Sequence, residues 1–253
     1  MSAPDPAAGP VPPAPRGCIA GGRSVGAAAG WRWIAEGWRI FRLQPGTWIG
    51  VSVVFLFLYT LASLVPFVGS LAVTVGTPAA FAGLLLGCRD LEAGGRLSLA
   101  HLGAGFRGNV GPLFALGALY LAAVVVVLFV VLLLAGVTFG LLFAAGVEPD
   151  GAMAALLIAL VALTGAGLSM PVVMAFWMAT PLILFHGLGP VPAIRASFIG
   201  CLRNSQPFLL YGCVTLLLMI PATLPFLLGW LVLMPVLYGS YYASYRDIFT
   251  TPG

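Results

Sequence analysis

The stretch from Pro66 to Asp90, PFVGSLAVTVGTPAAFAGLLLGCRD, decides how this sequence folds. It is an apolar run long enough for a helix, with a proline near its centre and an Arg-Asp pair at its end. The same order returns from Pro225 to Asp247, PFLLGWLVLMPVLYGSYYASYRD. The central prolines, Pro78 and Pro235, each stand eleven residues before the arginine of the pair. Self-similarity at a fixed spacing indicates a helical unit that is used more than once.

Composition places the whole chain in a membrane. Hydrophobic residues make up 61% of the sequence, charged residues make up 7%, and the mean hydropathy is +1.09. Soluble proteins carry about 25% charged residues, so this chain could not cover a surface that faces water. The sequence therefore predicts a polytopic integral membrane protein and excludes a soluble globular domain.

The apolar runs predict six transmembrane helices. A helix needs about 20 apolar residues to cross about 30 Å of hydrocarbon. The runs cover residues 47–65, 71–87, 112–147, 152–185 and 207–220, and a last run ends at Arg246 and Asp247. Residues 31–249 are thus expected to form one bundle, and the Pro-, Ala- and Gly-rich residues 1–30 are expected to form a disordered tail.

The third and fourth runs are longer than a membrane requires. As straight helices they would be roughly 50 Å long. Either they tilt and kink at Gly136, Gly140 or Pro171, or their outer ends project as an apolar hairpin capped by residues 148–150. We favour the projecting hairpin, with kinks.

Short amphipathic helices are predicted before each pair of spans. In the first, the apolar residues recur with the period of a helix and charged residues form the opposite face. The apolar stripe is Trp31, Ile34, Trp38 and Phe41, and the charged face is Arg32, Glu36 and Arg39. Such a helix suits the membrane interface. Weaker examples are expected around residues 99–106 and over 190–204, so the predicted fold class is all-α, with six spans arranged as three hairpins.

The arginines predict the orientation. All eleven basic residues are arginines, and they fall in the tail, in the 89–111 and 186–206 loops, or at the C-terminus. A six-span path places these segments on one side of the membrane. The positive-inside rule then predicts that both termini are cytoplasmic.

Several segments resemble an uncharacterised family of proteobacterial inner-membrane proteins. They are GWRWIAEGWRIFRLQPGTWI, TPAAFAGLLLGCRDL followed by HLGAGFR, MAFWMATPLILFH, SFIGCLRNSQPFLLYG and ASYRDIF. More distantly, the three-hairpin arrangement is similar to the membrane domain attached to some glycerophosphodiester phosphodiesterases. The resemblance implies a six-helix inner-membrane protein. It implies no activity and no catalytic residues.

Two groups of residues are candidates for function. The central prolines Pro78, Pro181 and Pro235 free backbone carbonyls, which would either line a central path or only shape the helices. The second group is expected either to contact anionic lipid headgroups or a partner, or only to anchor the bundle at the interface. It comprises Trp31, Arg32, Trp38, Arg39, Arg89, Asp90, Arg246 and Asp247.

Catalytic and metal-binding patterns are absent. No Asp, Glu, Arg or Lys residue lies inside the apolar runs, His101 and His186 lack ligand spacing, and the four cysteines form no CxxC motif. The sequence therefore predicts a protein that is not an enzyme, holds no cofactor or metal and binds no nucleic acid.

Two functions stay open. The first is a non-catalytic structural or accessory protein that engages lipid, a membrane-protein partner or a second copy of itself. The alternative is a passive or lipid-handling transporter that uses the proline-kinked centre.

Overall fold

The computed structural model describes residues 21–108, 110–224 and 228–251, and its regular elements in these ranges are helices. The bounds are α1 Ala29–Leu43, α2 Pro45–Ser63, α3 Val68–Glu92, α4 Ala100–Ala104, α5 Gly111–Ala144, α6 Gly151–Trp177, α7 Ala179–His186, α8 Pro190–Arg203, α9 Ser205–Thr223 and α10 Trp230–Phe249. The predicted all-α class is confirmed.

Five stretches are long and apolar enough to cross a membrane. They are α2, α3, α5, the combined length of α6 and α7, and α9. The closing helix α10 does not meet the same measure, because its second half carries serine and tyrosine residues and ends in Arg246 and Asp247. The fold is therefore that of a multi-pass membrane protein, and the predicted sixth span stays a prediction.

Local sequence signals set several helix ends. Gln44 separates α1 from α2, and Pro45 takes the first position of α2, where its missing N–H is not needed. Asp150 caps α6 by accepting a hydrogen bond of 2.7 Å from the Met153 amide. Helix α9 continues through Pro221, just beyond the predicted run 207–220, and ends at Thr223.

Of the two long apolar runs, one forms a single helix and the other is divided into two helices. Helix α5 runs unbroken through Gly136 and Gly140, so neither glycine interrupts it. The next run is divided at Met178 into α6 and α7, and Pro171 lies inside α6. The break comes near Pro181, which was predicted to disturb this run.

The predicted tail of residues 1–30 lies mostly outside the described residues. Its last part does not, because residues 21–28 run along the bundle and α1 begins at Ala29. The Val25 amide donates to Asn204 Oδ1 at 2.8 Å, and the Arg23 amide donates to the Ile248 carbonyl at 2.8 Å. These bonds tie residues 21–28 to the ends of α8 and α10.

Helix α1 packs tightly on α10 and α9, with glycines at the crossing points. A Cβ on Gly37 would overlap the Val236 carbonyl oxygen, and a Cβ on Gly239 would lie 2.9 Å from Gly37 Cα. A Cβ on Gly30 would overlap the Pro207 carbonyl oxygen. Glycine at these positions lets the backbones approach closely.

The buried face of α1 differs from the predicted stripe. Ile34 and Phe41 are buried, as predicted, but Trp31 and Trp38 are exposed. The packed face is centred on Trp33 and Gly37, because the glycines bring that side of the helix onto α10 and α9.

The other amphipathic segments also pack on spanning helices. Helix α4 lies against α3, and α8 lies against α6 and α7. Close backbone approach recurs at Gly105 and Gly117, where a Cβ would overlap the carbonyl oxygens of Ala79 and Val75. A Cβ added to Gly167 of α6, by contrast, would meet no atom within 4 Å.

Gly37→Ala is expected to lower the thermal unfolding midpoint of the purified protein. The added methyl must push α1 away from α10, and overpacking of this kind costs about 1–3 kcal/mol. Gly50→Ala is the matched control, because Gly50 lies in α2 with open space around it. Equal midpoints for the two variants would show that the α1–α10 crossing does not depend on this glycine.

Candidate functional site

The largest candidate site is a cavity of about 620 Å³ within the bundle. Its walls come from α2, α3, α5, α6, α7, α9 and α10. Tyr211 lies six residues into α9 and Tyr59 lies fourteen residues into α2, or about 9 and about 21 Å along their helices. The lining residues therefore lie at different depths along these helices. We call it the central cavity.

The walls of the central cavity are apolar and aromatic, with a set of hydroxyl groups and no charged side chain among the described residues. The hydroxyl-bearing residues are Tyr59, Thr74, Thr77, Tyr120, Thr180, Tyr211, Thr215, Tyr238 and Tyr241. Pockets that bind small molecules share this character, in that they combine apolar walls with a few polar groups.

Some of these hydroxyl groups are already bonded within the protein. The Tyr211 hydroxyl pairs with Ser240 Oγ at 2.9 Å, and Thr77 Oγ1 donates to the Val73 carbonyl at 2.7 Å. Thr215 Oγ1, by contrast, is buried and makes no hydrogen bond of acceptable geometry with the described residues. A buried polar atom without a partner costs about 1–3 kcal/mol, so a ligand that bonded it would gain stability.

The three candidate prolines have different positions relative to the central cavity. Pro78 lines it. Pro181 and Pro235 are buried beside it and do not line it, although their neighbours Thr180 and Met234 do. Pro78 therefore lies at the cavity wall and the other two prolines lie one position from it, while a role of the three in a central path stays a prediction.

The helix is interrupted near Pro181, and side chains of α8 and α10 bond backbone groups at the interruption. A proline at this position leaves the Trp177 carbonyl without its helical donor. The Tyr241 hydroxyl of α10 donates to that carbonyl. Ser197 of α8 accepts from the Met178 amide at 2.9 Å and donates to the Met174 carbonyl at 2.8 Å.

Ser197→Ala is expected to destabilise the protein by about 1–3 kcal/mol, because the variant removes the buried hydrogen bonds to the Met178 amide and the Met174 carbonyl. Thermal unfolding of the purified protein measures the effect. Ser169→Ala is the control, since Ser169 Oγ only donates to the Gly165 carbonyl of its own helix. A loss no larger than that of the control would mean that Ser197 does not hold the break.

The arginine-bearing end of the bundle contains an ionic cluster formed by Glu36, Arg39, Glu92 and Arg246. Arg39 contacts Glu36 at 2.6 Å and Glu92 at 2.8 Å. Arg246 pairs with Glu92 and lies 3.7 Å from Glu36. The hydrogen bond from Arg39 lowers the pKa of Glu36 below its ordinary value. The cluster joins α1, α3 and α10, and its four charges sum to zero.

Asp247 is the centre of a second charged group. Its carboxylate pairs with Arg23, accepts from Trp33 Nε1 at 3.0 Å and lies 3.6 Å from Arg32. These side chains border a polar cavity of about 230 Å³ that Arg246 also lines. The arginines that border this cavity already lie beside carboxylates.

The first Arg-Asp pair has different partners from the second. Arg89 lies 3.2 Å from Asp90 and 5.8 Å above the Phe185 ring. Asp90 also lies 3.1 Å from His101 Nε2. The matching positions in the sequence therefore do not form matching sites.

The predicted headgroup contacts divide into two groups. Trp31, Trp38 and Arg32 are exposed, and Arg32 is 64% exposed at its side chain. The other predicted contacts, Arg39, Arg89, Asp90, Arg246 and Asp247, make the ion pairs described above. Five exposed arginines that the prediction did not include have no ion-pair partner in the described part of the chain: Arg42, Arg96, Arg107, Arg195 and Arg203.

No cluster of three metal-ligating side chains occurs within residues 21–108, 110–224 and 228–251. His186 Nε2 instead bonds the Tyr245 hydroxyl at 2.7 Å. Cys88, Cys201 and Cys213 are free thiols, and Cys18 lies outside the described residues.

These features define a multi-pass helical membrane protein with an internal, uncharged cavity. The chain is 32% identical over 258 residues to a protein of Burkholderia thailandensis described as a probable inner membrane protein, across 89% of this chain and 92% of the relative. The chain belongs to the family of that protein. No protein-family model matches it, and no solved structure matches it. The similarity to the membrane domain of glycerophosphodiester phosphodiesterases stays a prediction.

Acidification is expected to remove part of the stability that Glu36 contributes. Because the folded-state pKa of Glu36 is lower than its ordinary value of 4.5, its contribution is complete above that value and is lost as the pH falls through the folded pKa. The difference in unfolding midpoint between wild type and Glu36→Gln should be constant above pH 5 and shrink below pH 4.5.

Arg39→Gln tests the cause of this pH dependence. Without the Arg39 guanidinium, Glu36 loses the hydrogen bond that contributes most to lowering its pKa, so a further Glu36→Gln change should have a smaller, less pH-dependent effect than it has in the wild type. A difference between wild type and Glu36→Gln that is the same from pH 3 to pH 7 would rule out the interpretation.

Proposed function

We propose that this protein is a lipid-handling membrane protein that binds an uncharged, largely apolar molecule in the central cavity. The observation that carries the proposal is the cavity itself, which is hydroxyl-bearing and free of charged side chains at membrane depth. Its volume of about 620 Å³ falls within the range of about 300–1,000 Å³ that is typical of ligand pockets.

The chemistry of the walls selects the ligand class. A charged headgroup inside the cavity would lose its hydration without gaining a counter-charge, which is costly in a low-dielectric interior. Ester, carbonyl or hydroxyl groups fit better, because they can exchange hydrogen bonds with the hydroxyl-bearing walls. We therefore assign a neutral lipid, such as a diacylglycerol, as the chemical class.

The packing of α6 and α9 supports entry from the bilayer. Helix α6 packs mainly on α5 and α8, whereas α9 packs mainly on α1 and α10. Both helices line the central cavity, so they face each other across it. At the wall of the central cavity, the rings of Trp177 on α6 and Tyr241 on α10 are in contact, with their centroids 5.6 Å apart.

The same proposal includes the topology. We place α10 as a sixth span, with six spans in three hairpins, and we place the arginine-bearing end and both termini in the cytoplasm. The arginines support this orientation through the positive-inside rule. The apolar first half of α10, which lines the central cavity, supports the sixth span. We further propose that the protein is not an enzyme.

A non-catalytic accessory role is the second candidate. It is supported by Trp31 and Trp38, which α1 leaves exposed, and by the outer halves of α5 and α6, where many apolar side chains are exposed. Anionic lipid, a membrane-protein partner or a second copy of the chain would then contact these surfaces.

Val173→Trp, which adds bulk at the α6 wall of the central cavity, is expected to block binding of a neutral lipid. The test uses nanodiscs that contain a diacylglycerol with a diazirine on one acyl chain, followed by photolysis and peptide mapping. In the wild type, adducts should appear on cavity residues of α6 and α9, such as Phe176 and Met219. In Val173→Trp they should fall to background.

Val126→Trp is the matched control, because Val126 is 60% exposed on α5 and does not line the cavity. It should leave the cavity adducts unchanged. Adducts that are confined to outward-facing residues, and equal in both variants, would overturn the proposal and leave the accessory role.

A further inference from the structure

A smaller cavity of about 270 Å³ lies near the arginine-bearing end, between α3, α5 and α7. Apolar side chains line it, among them Leu86, Leu113, Ile183 and Leu188, together with a similar share of polar surface. One charged side chain, Arg107, lines it. We call it the Arg107 pocket, and it is separate from the central cavity because the two share no lining residue.

Arg107 has no ion pair within the described residues, although the same end of the bundle holds many. Arg39 and Arg246 are balanced by Glu36 and Glu92, whereas no carboxylate lines the Arg107 pocket. The pocket therefore presents a free positive charge beside apolar walls. An arginine guanidinium recognises phosphate or carboxylate through two parallel hydrogen bonds.

The position of the pocket fits the boundary of the membrane. Arg107 follows α4 and precedes α5, which begins its apolar run at Gly111. Phe106 is exposed beside Arg107, and its ring lies 6.2 Å from that of Phe114 on the first turn of α5. An aromatic side chain next to an arginine is typical of segments that contact the headgroup region.

We propose that the Arg107 pocket binds an acyl chain that carries an anionic head, with the chain against the apolar walls and the phosphate or carboxylate on Arg107. The chemistry is shared by anionic phospholipids and free fatty acids. The inference goes beyond the proposed function, because it concerns a different cavity and a charged ligand. Binding there requires a positive charge, whereas the central cavity has no charged lining residue.

Native mass spectrometry of the full-length protein, titrated with phosphatidylglycerol, phosphatidylethanolamine or a long-chain fatty acid, tests the site. Wild type should bind phosphatidylglycerol or the fatty acid more tightly than phosphatidylethanolamine. Arg107→Gln should weaken binding of the preferred lipid by about tenfold or more, as expected for loss of a hydrogen bond to a charged group. Inorganic phosphate in excess should not displace the lipid.

Two variants supply the controls. Arg96→Gln removes another exposed arginine without an ion pair from the same α3–α5 connection, but Arg96 does not line the pocket, so binding should be retained. Ala104→Leu keeps Arg107 and fills part of the pocket, so binding should weaken. Unfolding midpoints close to that of the wild type would show that both variants are folded.

Three outcomes would overturn the inference. Equal losses in Arg96→Gln and Arg107→Gln would mean that surface charge alone attracts the lipid. Full binding by Ala104→Leu, or displacement by inorganic phosphate, would mean that a headgroup is recognised without its chain. Full binding by Arg107→Gln would remove the proposed anion contact. None of these results bears on the central cavity.

Discussion

The structure depends on one constraint: a backbone carbonyl inside hydrocarbon must find a donor within the protein. Pro181 removes the helical donor of the Trp177 carbonyl, and the Tyr241 hydroxyl replaces it. Ser197 bonds both the Met178 amide and the Met174 carbonyl beside the same break. These two replacements connect α8 and α10 to the break between α6 and α7, and they do so at the wall of the central cavity.

At the arginine-bearing end, charged side chains likewise find partners within the protein. Glu92 lies on α3, Glu36 on α1 and Arg246 on α10, so the ion pairs of the cluster, apart from Glu36–Arg39 within α1, join different helices. Exposed ion pairs stabilise little, but Glu92 is only 11% exposed at its side chain and its two arginines neutralise it. The cluster fixes the relative positions of the three helix ends. It also leaves those arginines less available to lipid than a reading of the sequence suggested.

The parts of the fold that could be predicted are those set by local sequence. Gln44 and Pro45 mark a helix boundary, and Pro190 opens α8, because proline and helix ends have local causes. The Trp31 and Trp38 stripe was wrong in part, because Gly37 allows α1 to approach α10 on a different side. A contact between Gly37 and Gly239 joins residues about two hundred positions apart, and no single-helix pattern encodes it.

The candidate site shows the same division between local and distant causes. Pro78 and the break at Pro181 follow from the sequence, since a proline changes its own helix. The hydroxyl-bearing wall does not, because Thr74, Tyr120 and Tyr211 come from three helices with no shared motif.

The cavity persists because α6 packs mainly on α5 and α8, while α9 packs mainly on α1 and α10. In a bilayer a gap between two such apolar helices need not remain empty, since lipid chains can enter it without crossing a polar barrier. The absence of charge among the lining residues then determines what can stay there: a chain and its neutral polar groups gain contacts in the cavity, whereas a charged head is more stable at the arginine-bearing end.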